Sequence, residues 1–270
     1  MANRRAARDN SDVAIARIEG MTALVTGASS GIGAALARDL AAAGAAVALV
    51  ARGTDRLTEL VAALPPGRAA AFPCDVRDAA AVAATVAAVR QRFGAIALLV
   101  NNAGIGRYLS FLETSAEEVA AILETNLHGA LHFTRAVLPE MLARRHGHVV
   151  NVGSIAGRIG SRNHTAYCAS KFALAGFSES LAYELEGTGV GVTLVNPGIV
   201  DTAFFDHASF AEFPGHARAR AIRPEAVSRA IVRAVRRGRS EVTVPATYAL
   251  GTVLKAIAPG VFRRLMRRYA

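Results

Sequence analysis

Residues 21–33 read M-T-A-L-V-T-G-A-S-S-G-I-G. Met21 to Thr26 is a short apolar run of the kind that fills a buried strand. Gly27, Gly31 and Gly33 then turn the chain into an alanine-rich helix that should stop near Gly44, a natural C-cap. Strand, glycine turn, helix: that order decides the fold class. Glycines permit a tight turn and close backbone approach, and a helix N-terminus presents free N–H groups to an anion such as a pyrophosphate. The same residues fit a competing pattern. Gly27-Ala28-Ser29-Ser30-Gly31 matches the G-x-S-x-G elbow that presents a nucleophilic serine in hydrolases. An elbow needs an oxyanion loop upstream and a late histidine. Here only a polar arm precedes the strand, and His207 and His216 are the available histidines.

Further apolar runs follow at Ala46–Ala51, Ala69–Pro73, Ile96–Val100, His148–Val152, Val190–Val195 and Glu241–Val244. Helical patterns lie between them, over Arg52–Ala63, Asp78–Phe93, Ala116–Arg144, the region after Thr165, and Pro224–Arg237. Runs alternating with helices predict an α/β fold: a Rossmann-like, doubly wound parallel sheet of about seven strands with helices on both faces. The predicted organisation is a basic flexible arm over 1–17, a main Rossmann-like domain over 18–245 and a basic amphipathic helical tail over 246–270. In such sheets ligands bind beyond the carboxyl ends of the strands. Gly27 to Gly33, Arg52, Asp75, Asn101 to Gly104, Ser154 and Pro197-Gly198 all follow strand ends.

The chain has 270 residues, 52% hydrophobic and 19% charged, which suits a single globular core. Residues 1–17 lack the apolar segment of a secretory signal, and no apolar run approaches the length of a spanning helix. Cys74 and Cys168 have neither zinc spacing nor a disulfide framework around them, so a reducing cytoplasmic setting and no metal site are expected. The net charge of +10 is concentrated late: Gly215 to Ala270 holds thirteen basic residues against only Glu225 and Glu241. No nucleic-acid module accompanies that charge, and no nucleic-acid partner is expected.

Within T-A-Y-C-A-S-K, residues 165–171, Tyr167 and Lys171 stand four apart, hence on one helix face one turn apart. An ammonium beside a phenol favours the phenolate and should draw the tyrosine's pKa of roughly 10 toward neutrality. Such a tyrosine can exchange a proton with a carbonyl or alcohol oxygen. About 20 residues beyond the glycine loop, the second strand should end in an acid for NAD or a basic residue for NADP. Ala51-Arg52-Gly53 offers no acid, and Arg52, with Arg56 one turn on, can pair the 2′-phosphate. NADP(H) is therefore expected over NAD(H).

With Gly27/Gly31/Gly33, Asn101-Asn102-Ala103-Gly104, Ser154 and Tyr167-x-x-x-Lys171 in this order, the sequence resembles the short-chain dehydrogenase/reductase family over about Met21 to Val244. The resemblance implies the following roles. Gly27, Ser29, Ser30, Gly31, Ile32 and Gly33 form the cofactor loop. Asp75 and Val76 hold the adenine, and Asn101, Ala103 and Gly104 shape the fourth strand's end beside its ribose. Asn126 holds a water linking Lys171 to a proton relay. Ser154, 13 residues before Tyr167, bonds the substrate oxygen. Pro197, Gly198, Ile199 and Thr202 lie beside the nicotinamide, with Lys171 on its ribose. The implied activity is hydride transfer between NADP(H) and a carbonyl or alcohol, Tyr167 acting as general acid/base in a homodimer or homotetramer. A cofactor-binding regulatory or scaffold protein that is catalytically idle is the other reading.

Phe204, Phe205, Phe210 and Phe213, with Tyr108 and Phe111, suggest an apolar substrate, or equally a self-packed lid. In the tail, Val261, Phe262, Leu265, Met266 and Tyr269 share one helical arc, opposite Arg263, Arg264, Arg267 and Arg268. Such a helix can pack on the body or a partner subunit, or lie on an anionic membrane from the cytoplasmic side.

Overall fold

The computed structural model describes residues 13–15 and 17–269. Seven strands, β1 (Thr22–Thr26), β2 (Ala46–Ala51), β3 (Ala69–Pro73), β4 (Ile96–Asn101), β5 (Gly147–Val152), β6 (Val190–Pro197) and β7 (Glu241–Val244), form one sheet. All neighbours pair in parallel, in the order β3-β2-β1-β4-β5-β6-β7. The chain winds outward from β1 to β3, then returns to β4 on the other side of β1. The crevice between β1 and β4 is thus the switch point at which such sheets bind ligands.

Side chains alternate between two cores, as a strand's period of two requires. Ala23 and Val25 of β1 join Val47 and Leu49 of β2 beneath α1 (Gly31–Ala42), α2 (Asp55–Ala62) and α8 (Pro224–Arg236). Leu24, Ala48, Val50 and Leu99 face the opposite way, toward α3 (Ala79–Phe93), α5 (Gly129–Arg144) and α6 (Thr165–Glu184). Each fully buried Leu or Val contributes roughly 1.5–3 kcal/mol. Where both faces are covered, as in β1, β2 and β4, the strands read as nearly unbroken apolar runs and not as alternating ones. Local signals mark the helix ends. Asp78 caps α3, accepting from the Ala80 and Ala81 amides at 2.8 and 3.0 Å. Gly44, at φ +87°, takes the left-handed turn after α1.

Two expectations need correction. The long helix over Ala116–Arg144 is interrupted: α4 (Ala116–Leu123) passes into a π-turn at Glu124–His128 before α5 resumes. One extra residue in that turn swings Asn126 inward, where its side-chain oxygen accepts the Ile105 amide and its nitrogen donates to the Ile105 carbonyl. The arm expected over 1–17 does not stay separate along its described end, while residues 1–12 and 16 lie outside the described residues. Ile15 is buried and its amide donates to Val235 O at 3.1 Å. Hydrophobic burial at Ile15 and Ile18 carries the arm's end into the core under α1 and α8. Beyond β7 the chain adds α9 (Tyr248–Ile257) and α10 (Pro259–Tyr269), after a short α7 (Gly215–Arg218) earlier in the chain.

His148 on β5 fixes the arm, its ring bridging the Val13 carbonyl at 3.2 Å and the Thr193 hydroxyl at 2.7 Å. Burial drives its pKa down to about 4 against the opposing pull of the Val13 carbonyl. Between pH 6.5 and 4 the unfolded chain takes up a proton that folded His148 refuses, so stability present above 6.5 is lost on acidification. Urea midpoints should fall across that window, and His148→Gln should reduce the slope of the fall. An unchanged slope in the variant would assign the acid sensitivity elsewhere.

Candidate active site

The loop after β1 is stitched to the end of β4. The Thr26 hydroxyl accepts the amides of Asn102 and Ala103, each at 3.0 Å, and the Asn102 side chain donates to the carbonyls of Thr26 and Gly27 at 2.9 and 3.2 Å. This seam leaves no room for side chains. A Cβ on Gly27 (φ +64°) would lie 2.8 Å from Ala103 Cα. One on Gly33 would strike the Gly27 carbonyl and approach Asn102 Nδ2 at 2.7 Å. Gly31 (φ +53°) faces Thr202, whose Cγ2 would be 2.8 Å from an added Cβ, so the segment after β6 closes over the loop from the far side. Ser29, Ser30 and Ile32 are half-buried in the same turn. α1 starts with no side-chain cap at Ser30 and no acid in its first turn. Its leading N–H groups are thereby left for an anion. This glycine cradle fits the pyrophosphate of a dinucleotide.

A cleft of about 230 Å³ opens from this turn between α1 and α2, lined by Ser29, Arg38, Arg56, Glu59 and the apolar Ala34 and Leu60. Ser29 thus faces two arginines, whereas His207 bonds Ser209 in the loop after β6, at 3.0 Å. The elbow reading lacks its base. Arg52 is exposed at the end of β2. The Asp75 carboxylate grips Arg77 at 2.6 Å, and that hydrogen bond, with help from the charge of Arg52, holds its pKa below the ordinary value. Val76 is buried against Gly129 of α5, and Asn101 turns inward to Asn151 (2.9 Å) and Thr134 (3.1 Å). Their side chains shape the rim from beneath. Asn102, adjacent to Asn101, holds the loop itself; being one amide among several, it carried no sequence signal of its own.

The polar catalytic candidates meet above the end of β5. Ser154 follows β5 and accepts the Ala156 amide at 3.1 Å. Tyr167 and Lys171 lie one turn apart on α6, as their spacing requires. Lys171 Nζ donates to the Val152 carbonyl at 2.8 Å and sits 5.8 Å from the Tyr167 ring centre. Gly104 lets the β4 loop close over this group: a Cβ there would be 3.3 Å from Asn126 Oδ1 and 3.6 Å from Lys171 Nζ. Asn126 also donates to Ser170 Oγ at 2.9 Å, tying the π-turn to α6. Pro197 ends β6, Gly198 packs against the Tyr248 ring, and the Ile199 carbonyl accepts the Ile222 amide at 2.9 Å.

Burial sets the direction at both groups of this pair. Desolvation pushes the Tyr167 phenol up to about 12, opposed by a hydrogen bond from Ser154, and pushes Lys171 down to about 8. The direction at Tyr167 is thus opposite to the shift toward neutrality expected from its spacing to Lys171, and desolvation is the main cause.

The aromatic residues divide. Phe205 and Phe210 are buried and pack on each other and on Phe213, forming the core of a lid, while Phe204 stands 5.4 Å from the Tyr167 ring. Tyr108 stacks on Phe210 and meets Phe213, but Phe111 is 62% exposed and takes no part. His164, which the sequence did not single out, lies among them, 5.6 Å from Tyr167 and 5.0 Å from Tyr108. Its Nε2 is buried without a hydrogen-bond partner, and burial lowers its pKa to about 4, so the ring is neutral at physiological pH.

Comparison with known proteins agrees with this geometry. The short chain dehydrogenase family profile matches residues 21–211. The chain belongs to that family. It is 34% identical to bovine dehydrogenase/reductase SDR family member 7B, over 93% of this chain and 82% of that protein. It is 35% identical to the Nostoc ketoacyl reductase HetN, over 89% and 85%. Among solved structures, a short chain dehydrogenase/reductase from Burkholderia phymatum in complex with NAD superposes with a TM-score of 0.82 at 26% identity, covering 89% of this chain and 94% of that one. A Streptomyces avermitilis short-chain dehydrogenase gives 0.79 at 33% identity, covering 93% and 99%. This short-chain dehydrogenase is thus a member of an oxidoreductase family whose fold holds a nicotinamide cofactor, and the hydrolase reading falls away.

The seam makes a stability prediction. Gly33→Ala drives a methyl group into backbone, so it should cost about 1–3 kcal/mol by urea unfolding. Gly160→Ala, with nothing within 4 Å of the added carbon, should stay within about 0.5 kcal/mol of wild type. Equal effects would disprove the close packing of the loop.

Proposed function

We propose that this protein transfers hydride between NADP(H) and a carbonyl compound or alcohol with an apolar body, with Tyr167 as general acid/base. The observation that supports the reading is the convergence of Ser154, Tyr167 and Lys171 at the end of β5: Lys171 bonds the Val152 carbonyl and lies 5.8 Å from the Tyr167 ring centre, and Ser154 hydrogen-bonds the phenol. When bound, the nicotinamide supplies or accepts the hydride. Gly27, Ser29, Ser30, Gly31, Ile32 and Gly33 would hold its diphosphate, Asp75, Val76, Asn101, Ala103 and Gly104 its adenosine end, and Pro197, Gly198, Ile199 and Thr202 the nicotinamide end.

In the reducing direction, the substrate carbon gains hydride and its oxygen takes the Tyr167 proton. Alcohol oxidation reverses both transfers. A phenol held up at about 12 is protonated at neutral pH, the form that reduction needs. Ser154 would orient the substrate oxygen. Lys171 would hold the cofactor ribose and supply positive charge to the phenolate that remains. Asn126 is a positioning residue: it fixes Ile105 and Ser170 and so the pocket's two walls. Phe204 and Tyr108 offer an apolar surface to the substrate, and the neutral His164 gives it one polar contact.

Arg52, Arg38 and Arg56 at the open end of the cradle support NADP(H) over NAD(H), since Ala51-Arg52-Gly53 at the end of β2 holds no acid, although Glu59 also lines the cleft. The ketoacyl reductases among the relatives support carbonyl substrates; a homodimer or homotetramer in the cytoplasm is part of the same proposal. Tyr167→Phe should lower kcat on a reducible carbonyl compound at least about 100-fold while NADPH binding, read by fluorescence, stays nearly unchanged. Turnover near wild type would reject the general-acid role. NADPH binding with no turnover on any carbonyl in a broad panel would favour the idle, regulatory reading. Arg52→Ala combined with Arg56→Ala should weaken NADPH binding about tenfold or more and leave NADH binding little changed.

A further inference from the structure

We propose that the C-terminal helix pair α9–α10 is a docking surface for an anionic lipid bilayer, independent of the hydride-transfer chemistry. The inner side of α9 is already occupied. Tyr248 packs on Gly198, Gly251 approaches Ile159, and Lys255 donates to the Arg158 carbonyl at 2.7 Å while its ammonium lies 4.9 Å from the Phe172 ring centre. The outer side is not: Leu250, Val253 and Ile257 are 70, 53 and 76% exposed. Their spacing of three and four residues makes them one stripe. On α10 the apolar arc is divided. Phe262 and Met266 are half-buried, whereas Val261 and Leu265 are exposed, flanked by exposed Arg263, Arg264 and Arg267.

Five large apolar side chains are thus presented beside arginines in a segment with no acidic residue after Glu241. That charge selects the occupant. A second copy of the same surface would oppose arginine to arginine, and a nucleic acid has no use for an apolar stripe. An anionic bilayer matches both parts, taking apolar side chains between its lipids and arginine guanidiniums at its headgroups. No helix among the described residues is long and apolar enough to cross a membrane, so contact is at the surface. α9 covers the loop after Ser154 and the segment at Gly198, which places the bilayer at the edge of the active-site crevice.

Co-sedimentation of the full chain with phosphatidylcholine vesicles, with and without a quarter of phosphatidylglycerol, tests the proposal. Binding should require phosphatidylglycerol and weaken with salt. The variant R263Q/R264Q/R267Q should bind on the order of 100-fold more weakly, at about fivefold per charge. L250S/V253S/I257S should also lose binding, and both variants should keep wild-type NADPH affinity and gel-filtration volume. Wild type that ignores phosphatidylglycerol, or variants that bind as well as wild type, would overturn the proposal. So would L250S/V253S/I257S falling to a smaller oligomer, which would make the stripe a contact between copies of this chain.

Discussion

Enclosing the Lys171 ammonium is the constraint around which the rest of the site is arranged. The residue is 4% exposed, and its one hydrogen bond among the described residues goes to the Val152 carbonyl. A buried cation is costly, and its pKa near 8 records that cost. The surroundings give what relief they can. Gly104 and Gly157 lack the side chains that would push the neighbouring loops away from α6. The π-turn swings Asn126 into the gap between the β4 loop and α6, where three hydrogen bonds hold it. An α-helical turn there would leave Ile105 and Ser170 without this shared partner. The interruption of the long helix is the backbone's answer to a polar pocket.

The strand plan was legible because both faces of the sheet are covered. Full burial writes the inner strands as apolar runs, and β2 begins and ends where its run does, as do the less buried edge strands β3 and β7. Glycines at positive φ and Asp78 marked the turns for separate chemical reasons. The π-turn was not legible. E-T-N-L-H has ordinary helical composition, and the force that opens it comes from Ile105 and Ser170, both far away in sequence. The docking of Ile15 was hidden in the same way. Its partners, beneath α1 and α8, come from segments about 20 and more than 200 residues further along.

At the site, spacing revealed residue types and proximity, but it could not reveal environment. Tyr167 and Lys171 do share a helix face, yet the tuning inferred from their pairing runs the other way, because spacing carries no information about desolvation. His164 escaped notice for a related reason. A histidine before a helix reads as a surface cap, and only the folded lid shows Tyr108, Phe210 and Phe213 closing around it. Asn102 is a third case: its neighbour Asn101 looks equivalent in sequence, but strand alternation sends one amide to the loop and the other into the core.

The same desolvation that works against the phenolate bears on direction. Tyr167 is held as the neutral acid, and Lys171, down to about 8, retains its proton at neutral pH with little margin. Under the proposed reading, proton donation to a carbonyl starts from the resting state of both groups. Alcohol oxidation would first need the phenolate, whose formation burial opposes. Phe204 adds an apolar neighbour to that phenol, its ring centre 5.4 Å from that of Tyr167. Under the proposed reading, the aromatic cluster and the raised phenol pKa belong together, since Phe204 stands against the ring whose burial raises it. Under that reading, positive charge brought close to the phenolate would favour oxidation by the same tyrosine.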